Sequence, residues 1–416
     1  MNLHSNGASG CDNLTACPAE DQIGPMPQET RALSRGLLVY SMVIILLITW
    51  APFRLIWPPD FTPMFVTSAT DAVINVLLFF APGFFYASSS VRDQSKKRIV
   101  MRAAIFGLGF SGMIEVGQFA IRGRFFSPPD LLTNASGAAV GAFAFIQAQR
   151  RLTRELAGRI ALELPLMGLF YLIGPLLFLN SLAAHGDANR LYLTPLLGMA
   201  AAIILAAIWK HRLNAALSAN RLSLLGGLWF ILATLPGMAK KPRFLPVSGL
   251  AVAGLLRLLC WRYGTEPKAG ERRFEAPTLW RGIPFFAAYL VMLAKGVAPA
   301  ASHPWRLEFG LANFGAAPTI LAIMSALEYT AAFSLLGYLI AELTGRREST
   351  TLPAVLNSGF LTVLVGMALE IMRGFWGPDH ASVAQLLLIT IASSAGALIY
   401  RLQLNVVRRG IFGSAN

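Results

Sequence analysis

The chain has 416 residues, 55% of them hydrophobic and 13% charged, with a mean hydropathy of +0.57. Its repeated apolar runs have the roughly twenty-residue length that crosses a bilayer, and charges fall between the runs, not along one face of each. This excludes a soluble helical protein, and the net charge of +14 is then a topological signal rather than a nucleic-acid footprint.

Residues 1–35 carry Asp12, Glu20, Asp21 and Glu29 and lack the basic start and apolar stretch of a signal peptide, so they are expected to be a disordered cytoplasmic tail. About twelve spans follow, near 36–53, 70–88, 99–121, 131–148, 161–182, 191–209, 222–239, 244–262, 282–300, 318–341, 353–373 and 382–400. The fold class is all-α, a polytopic transmembrane helix bundle. With both termini in the cytoplasm, the basic clusters at 92–98, 150–159, 210–221, 268–281, 346–347 and 408–409 all land inside. Lys240, Lys241 and Arg243 are the exception, placed outside. Cys11, Cys17 and Cys260 make no disulfide framework or metal spacing, and no cofactor or metal is expected.

Polar residues at membrane depth concentrate in one segment, EVGQFAIRGRFFSPPDLLTNASGAAVG. Such groups cost free energy in hydrocarbon and normally face a bundle interior. The first span exits near Arg54, and Asp71 and Asn75 share a face at the outer turn of the second. Glu115, Gln118 and Arg122, spaced i, i+3 and i+7, line one face near the outer end of the third. Arg124 lies in the following turn, and Asp130 and Asn134 share a face at the start of the fourth. Asp130 follows two prolines, so it is also expected to cap its helix. Gly137 and Gly141, spaced GxxxG, are expected to serve close helix packing.

The stretch 112–142 lies without a gap on 367–397, placing Glu115 on Glu370, 255 residues later, and Gly141 on Gly396. Arg373 then stands where Gln118 does, Gln385 replaces Asp130 and Ile389 replaces Asn134, while Asp379 and His380 add polar groups to the second loop. The expected organisation is a tail (1–35), a four-helix unit (36–150), a middle four-helix segment (151–265), a cytoplasmic linker (266–281) and a second four-helix unit (282–405). An even number of intervening spans makes the two units parallel repeats.

The run NVLLFFAPGFF (75–85), a Glu-x-x-Gln helix, an Arg-bearing turn and Asp-x-x-x-Asn-x-x-Gly-x-x-x-Gly resemble the VanZ-like family of bacterial membrane proteins. The positions carrying the resemblance are Asn75, Pro82, Gly83, Glu115, Gln118, Arg124, Asp130, Asn134, Gly137 and Gly141, with the APFR ending of the first span (51–54). It covers 36–148 well and 282–400 through a degenerate copy. The resemblance implies two VanZ-like units in a bacterial inner-membrane protein of the cell envelope. It also implies a link to glycopeptide antibiotic resistance or exopolysaccharide systems, and brings no reaction mechanism with it.

The leading functional expectation is a pocket at the outer leaflet that binds an amphipathic envelope lipid or lipid-linked precursor. Arg54, Arg122 and Arg124 would hold a phosphate or carboxylate, and Asp71, Asn75, Glu115, Gln118, Asp130 and Asn134 would order them and read hydroxyls or amides. In the second copy the corresponding residues are Glu370, Arg373, Asp379 and His380. The alternatives are a proton-coupled transporter using Glu115 and Glu370, and an integral-membrane enzyme with Glu115 or Asp130 as general base. Membrane lipids are the expected partners, nucleic acid is not, and oligomeric state is not legible.

Overall fold

In a computed structural model, the described residues are 22–23, 28–50, 63–65, 68–90, 94–121, 125–151, 164–184, 186–213, 217–263, 275–297, 304–310, 320–344, 351–376 and 380–412. Twelve α-helices account for most of them: α1 (Gln28–Trp50), α2 (Ala69–Ser90), α3 (Lys96–Gln118), α4 (Pro128–Arg151), α5 (Leu164–Ala183), α6 (Thr194–Ile208), α7 (Ala219–Ala233), α8 (Phe244–Tyr263), α9 (Glu275–Lys295), α10 (Ile320–Thr344), α11 (Thr351–Trp376) and α12 (Val383–Phe412). Among the described residues, nine helical stretches are long and apolar enough to cross a membrane. Those at Ser34–Leu46, Gly168–Ala183 and Ala219–Ala233 are apolar but shorter. The protein is an all-α, multi-pass helical bundle.

Several boundaries differ from those read in the sequence. α1 begins at Gln28, inside the segment assigned to the tail. α9 begins at Glu275, within the assigned linker, where Glu275 in its first turn meets the positive end of the helix dipole. It ends at Lys295 because Gly296 takes φ 83° and returns its N–H to the Met292 carbonyl at 2.9 Å, a left-handed helix stop. α7 stops at Ala233, and Pro236 lies in a 3₁₀ turn, Leu235–Ala239. Two short pairings interrupt the all-helical picture. β1 (Gln22–Ile23) runs antiparallel to β2 (Gln94–Ser95), and β3 (Leu307–Glu308) runs parallel to β4 (Ala381–Ser382).

The helices pack in the same order at both ends of the chain. α4 lies between α2 and α3, and α12 lies between α10 and α11. In lipid, helices associate through close backbone approach at small residues, since burying apolar side chains gains little there. A Cβ on Gly141 would run into the Phe80 carbonyl oxygen, and one on Gly137 into that of Val76. At the other end of the chain a Cβ on Gly396 would meet the Ser334 carbonyl, and one on Gly337 that of Ser393.

The apolar cores divide the molecule differently from the helix groups. One continuous core runs through α5, α6, α7, α8, α9, α10 and α12, joining the middle helices to the last group. The first four helices keep two small cores of their own, around Phe79, Phe110 and Ile114 and around Ala103, Ala142 and Phe145.

Candidate functional site

α2 and α4 begin at one end of the first four-helix group, each with a serine three residues before an aspartate. The Ser68 hydroxyl donates to Asp71 at 2.6 Å and accepts the Asp71 backbone N–H at 3.1 Å. At α4 the Asp130 backbone N–H donates to the Ser127 carbonyl at 3.0 Å, and the side chains of Ser127 and of Asn75 from α2 lie close to the Asp130 carboxylate. Serine three residues before a carboxylate satisfies helix-start N–H groups, and the acid sits against the positive dipole. Asp71 and Asp130 lie close enough to repel one another. Asp71 is exposed and Asp130 half-buried, and with the polar groups beneath them they form a polar niche.

Beneath the pair the polar groups are enclosed. Glu115 of α3, only 2% exposed, accepts the Ser127 backbone N–H at 2.7 Å, tying α3 to the head of α4. Buried Gln118 donates to the Thr49 carbonyl of α1 at 3.3 Å. Asn134, buried one turn below Asp130, lies 2.8 Å from the Ser111 hydroxyl of α3 through its amide nitrogen. Trp50 donates its indole N–H to the Ile114 carbonyl at 3.2 Å and packs over Gly117. Met64 N–H pairs with the Phe126 carbonyl at 2.8 Å, drawing the segment before α2 against the turn before α4.

Of the site residues read from the sequence, the structure therefore brings Asp71, Asn75, Glu115, Gln118, Asp130 and Asn134 to one end of α1–α4. Arg54, Arg122, Arg124 and Asp379 lie outside the described residues. Gly137 and Gly141 face α2.

The last four helices carry a related arrangement with different contents. Glu370 accepts the Ser382 backbone N–H at 2.9 Å, 255 residues on from the Glu115–Ser127 bond. Ala381, 255 residues on from Phe126, donates its N–H to Arg306 O at 3.1 Å in the parallel β3–β4 pairing. Arg373, at the Gln118 position, is buried, lies 3.5 Å from Glu370 and has its guanidinium 5.3 Å from the centre of the Tyr329 ring. The Ser111–Asn134 contact is replaced by Gly366 against Ile389. A Thr362–Ser393 hydroxyl pair at 2.5 Å appears one turn away, where the first group has Gly107 against Ala138. His380 is half-buried beside this niche.

A further polar cluster escaped the sequence reading. Glu328 of α10 is 0% exposed and receives three donors: Arg190 at 2.5 Å, Asn180 at 2.6 Å and Tyr289 at 2.9 Å. These come from the turn after α5, from α5 and from α9 respectively, so one carboxylate pins the middle helices to the last four. The signal was available: Glu328 is an acid inside the 318–341 apolar run, and Arg190 stands at the head of the 191–209 run. The basic loop after α7 also finds a partner, Lys241 standing 3.7 Å from the centre of the Tyr192 ring.

Residues 25–149 match the family model described as VanZ/LLP1. No curated protein and no solved structure matches the chain. The match falls on the four helices that build the first niche, so this part of the multi-pass membrane protein is VanZ-like.

Proposed function

We propose that the niche at the head of α2 and α4 binds the polar end of an amphipathic envelope lipid or lipid-linked precursor. In this reading the protein lies in the bacterial inner membrane with both termini cytoplasmic, and the niche opens at the non-cytosolic face. The observation that carries the reading is the contrast in burial at one helix end. Asp71 is exposed and Asp130 half-buried, while Glu115, Gln118 and Asn134 are enclosed and hydrogen-bonded beneath them. A fixed polar floor below this acid pair is suited to a head group rich in hydroxyl, amide or amine donors. Arg54, Arg122 and Arg124 are the residues assigned to an anionic part of the same ligand.

We also infer that the last four helices are a degenerate, parallel repeat of the first four and that all twelve helices span the membrane. Support comes from the Glu115–Ser127 and Glu370–Ser382 bonds and the Gly141 and Gly396 contacts, each recurring at the same spacing. In the second copy Arg373 occupies the niche with the protein's own side chain, so ligand binding is assigned to the first copy. Glu115 and Glu370, the carboxylates a proton-coupled transporter would use, each hold a backbone N–H at the head of the next helix. That task favours a binding protein over a transporter.

Purified wild type is expected to carry an amphiphile that an Asn75→Ala, Asp130→Ala double variant lacks. Indistinguishable lipid extracts from the two folded proteins would remove the reading.

A further inference from the structure

The opposite end of the α3–α4 pair has a feature that the niche does not use. An open groove of about 490 Å³ runs between the first turns of α3 and the last turns of α4. Its walls are apolar, formed mainly by Met101, Ala104, Phe143 and Ile146. Met101 is 63% and Phe143 53% exposed, so the groove opens on the outer surface of the helix pair. At its end stand Lys96 and Lys97.

Those lysines are in an electrostatically unfavourable place. They begin α3, where the helix dipole is positive and an acid is the favoured residue, yet the first turn contains no acid. Ser95 at the cap makes no side-chain bond to the helix N–H groups, and Arg98 and Arg102 add two more exposed cations. Cationic charge at the end of an apolar, outward-facing groove is complementary to one kind of molecule, an anion that carries a hydrocarbon chain.

We propose that this groove binds an anionic glycerophospholipid of the leaflet on the basic side. One acyl chain lies against Met101, Ala104, Phe143 and Ile146, and the phosphate sits against Lys96 and Lys97. The site is separate from the niche and stands whether or not the niche binds a ligand.

The test is native mass spectrometry of the full chain in detergent, titrated with phosphatidylglycerol or with phosphatidylcholine of the same acyl chains. Wild type should retain phosphatidylglycerol in preference to phosphatidylcholine. A Lys96→Gln, Lys97→Gln variant should bind phosphatidylglycerol about thirty-fold more weakly, the effect of losing two basic side chains beside an anionic surface. Ala104→Trp fills the groove from its outer side and should weaken binding with both lysines in place. Gly109→Ala, on α3 away from the groove and with open space at its Cβ position, should bind as wild type does. Equal retention of the two lipids, or wild-type affinity in both groove variants, would overturn the proposal. So would loss of binding in Gly109→Ala, or displacement of the lipid by millimolar glycerol 3-phosphate, which would mean that the chain contributes nothing.

Discussion

Glu115 illustrates how much one residue's neighbours decide. A carboxylate in the last turn of an apolar helix reads as a functional group, and its i, i+3 spacing from Gln118 puts both on the buried side of α3. Its bond to the Ser127 N–H gives it a second task, closing the turn that starts α4. No periodicity announces that bond, because it depends on how the nine residues between α3 and α4 bring Ser127 back to Glu115. Glu115→Gln keeps the shape and weakens a charge-assisted hydrogen bond, so it should cost about 1.5–3 kcal/mol in a reversible unfolding titration in detergent. Glu370→Gln should cost a similar amount through Ser382. A neutral result in both would deny the carboxylates this clamping role.

Helix pairing is set by backbone approach at glycine. The GxxxG spacing of Gly137 and Gly141 was legible as a packing face, but the partner was not, since a small-residue stripe does not name the helix it meets. The partner is α2, whose Val76 and Phe80 carbonyls fill the space a side chain would need. Gly141→Leu should force α2 and α4 apart and destabilise the first four helices by roughly 1–3 kcal/mol or more, seen as a lower thermal midpoint. Gly109 lies in the same bundle on α3 with open space at its Cβ position. Gly109→Ala should be neutral or stabilising by up to about 1 kcal/mol. If both changes behave alike, close approach is not what pairs these helices. Helix ends were less legible than helix existence: α9 started early and α7 stopped early because one acid and one proline outweighed the apolar run.

For the molecule as a whole, a hydrophobicity profile divides the chain into three groups of four helices, whereas the continuous core ties the middle group to the last one. Hydropathy cannot report this, because every helix is apolar and the division lies in which faces meet. Glu328 is the fixed point of that larger body. Glu328→Ala would leave Arg190, Asn180 and Tyr289 aimed at an empty place and should cost about 3–5 kcal/mol, the loss seen when one partner of a buried ion pair is removed. Limited proteolysis should then release fragments from the middle and last helices while 28–151 stays intact. Cleavage spread evenly over the chain would contradict two separately cored bodies.

Everything proposed for the niche requires it to open on the side of the membrane opposite the basic clusters. Substituted-cysteine labelling answers this directly, with Cys11, Cys17 and Cys260 first replaced by Ala. In intact spheroplasts a membrane-impermeant maleimide should label Asp71→Cys, at the mouth of the niche, and should reach Lys97→Cys only after permeabilisation. Labelling of Lys97→Cys but not Asp71→Cys in intact spheroplasts would place the niche on the cytosolic side and contradict its assignment to an outer-leaflet ligand.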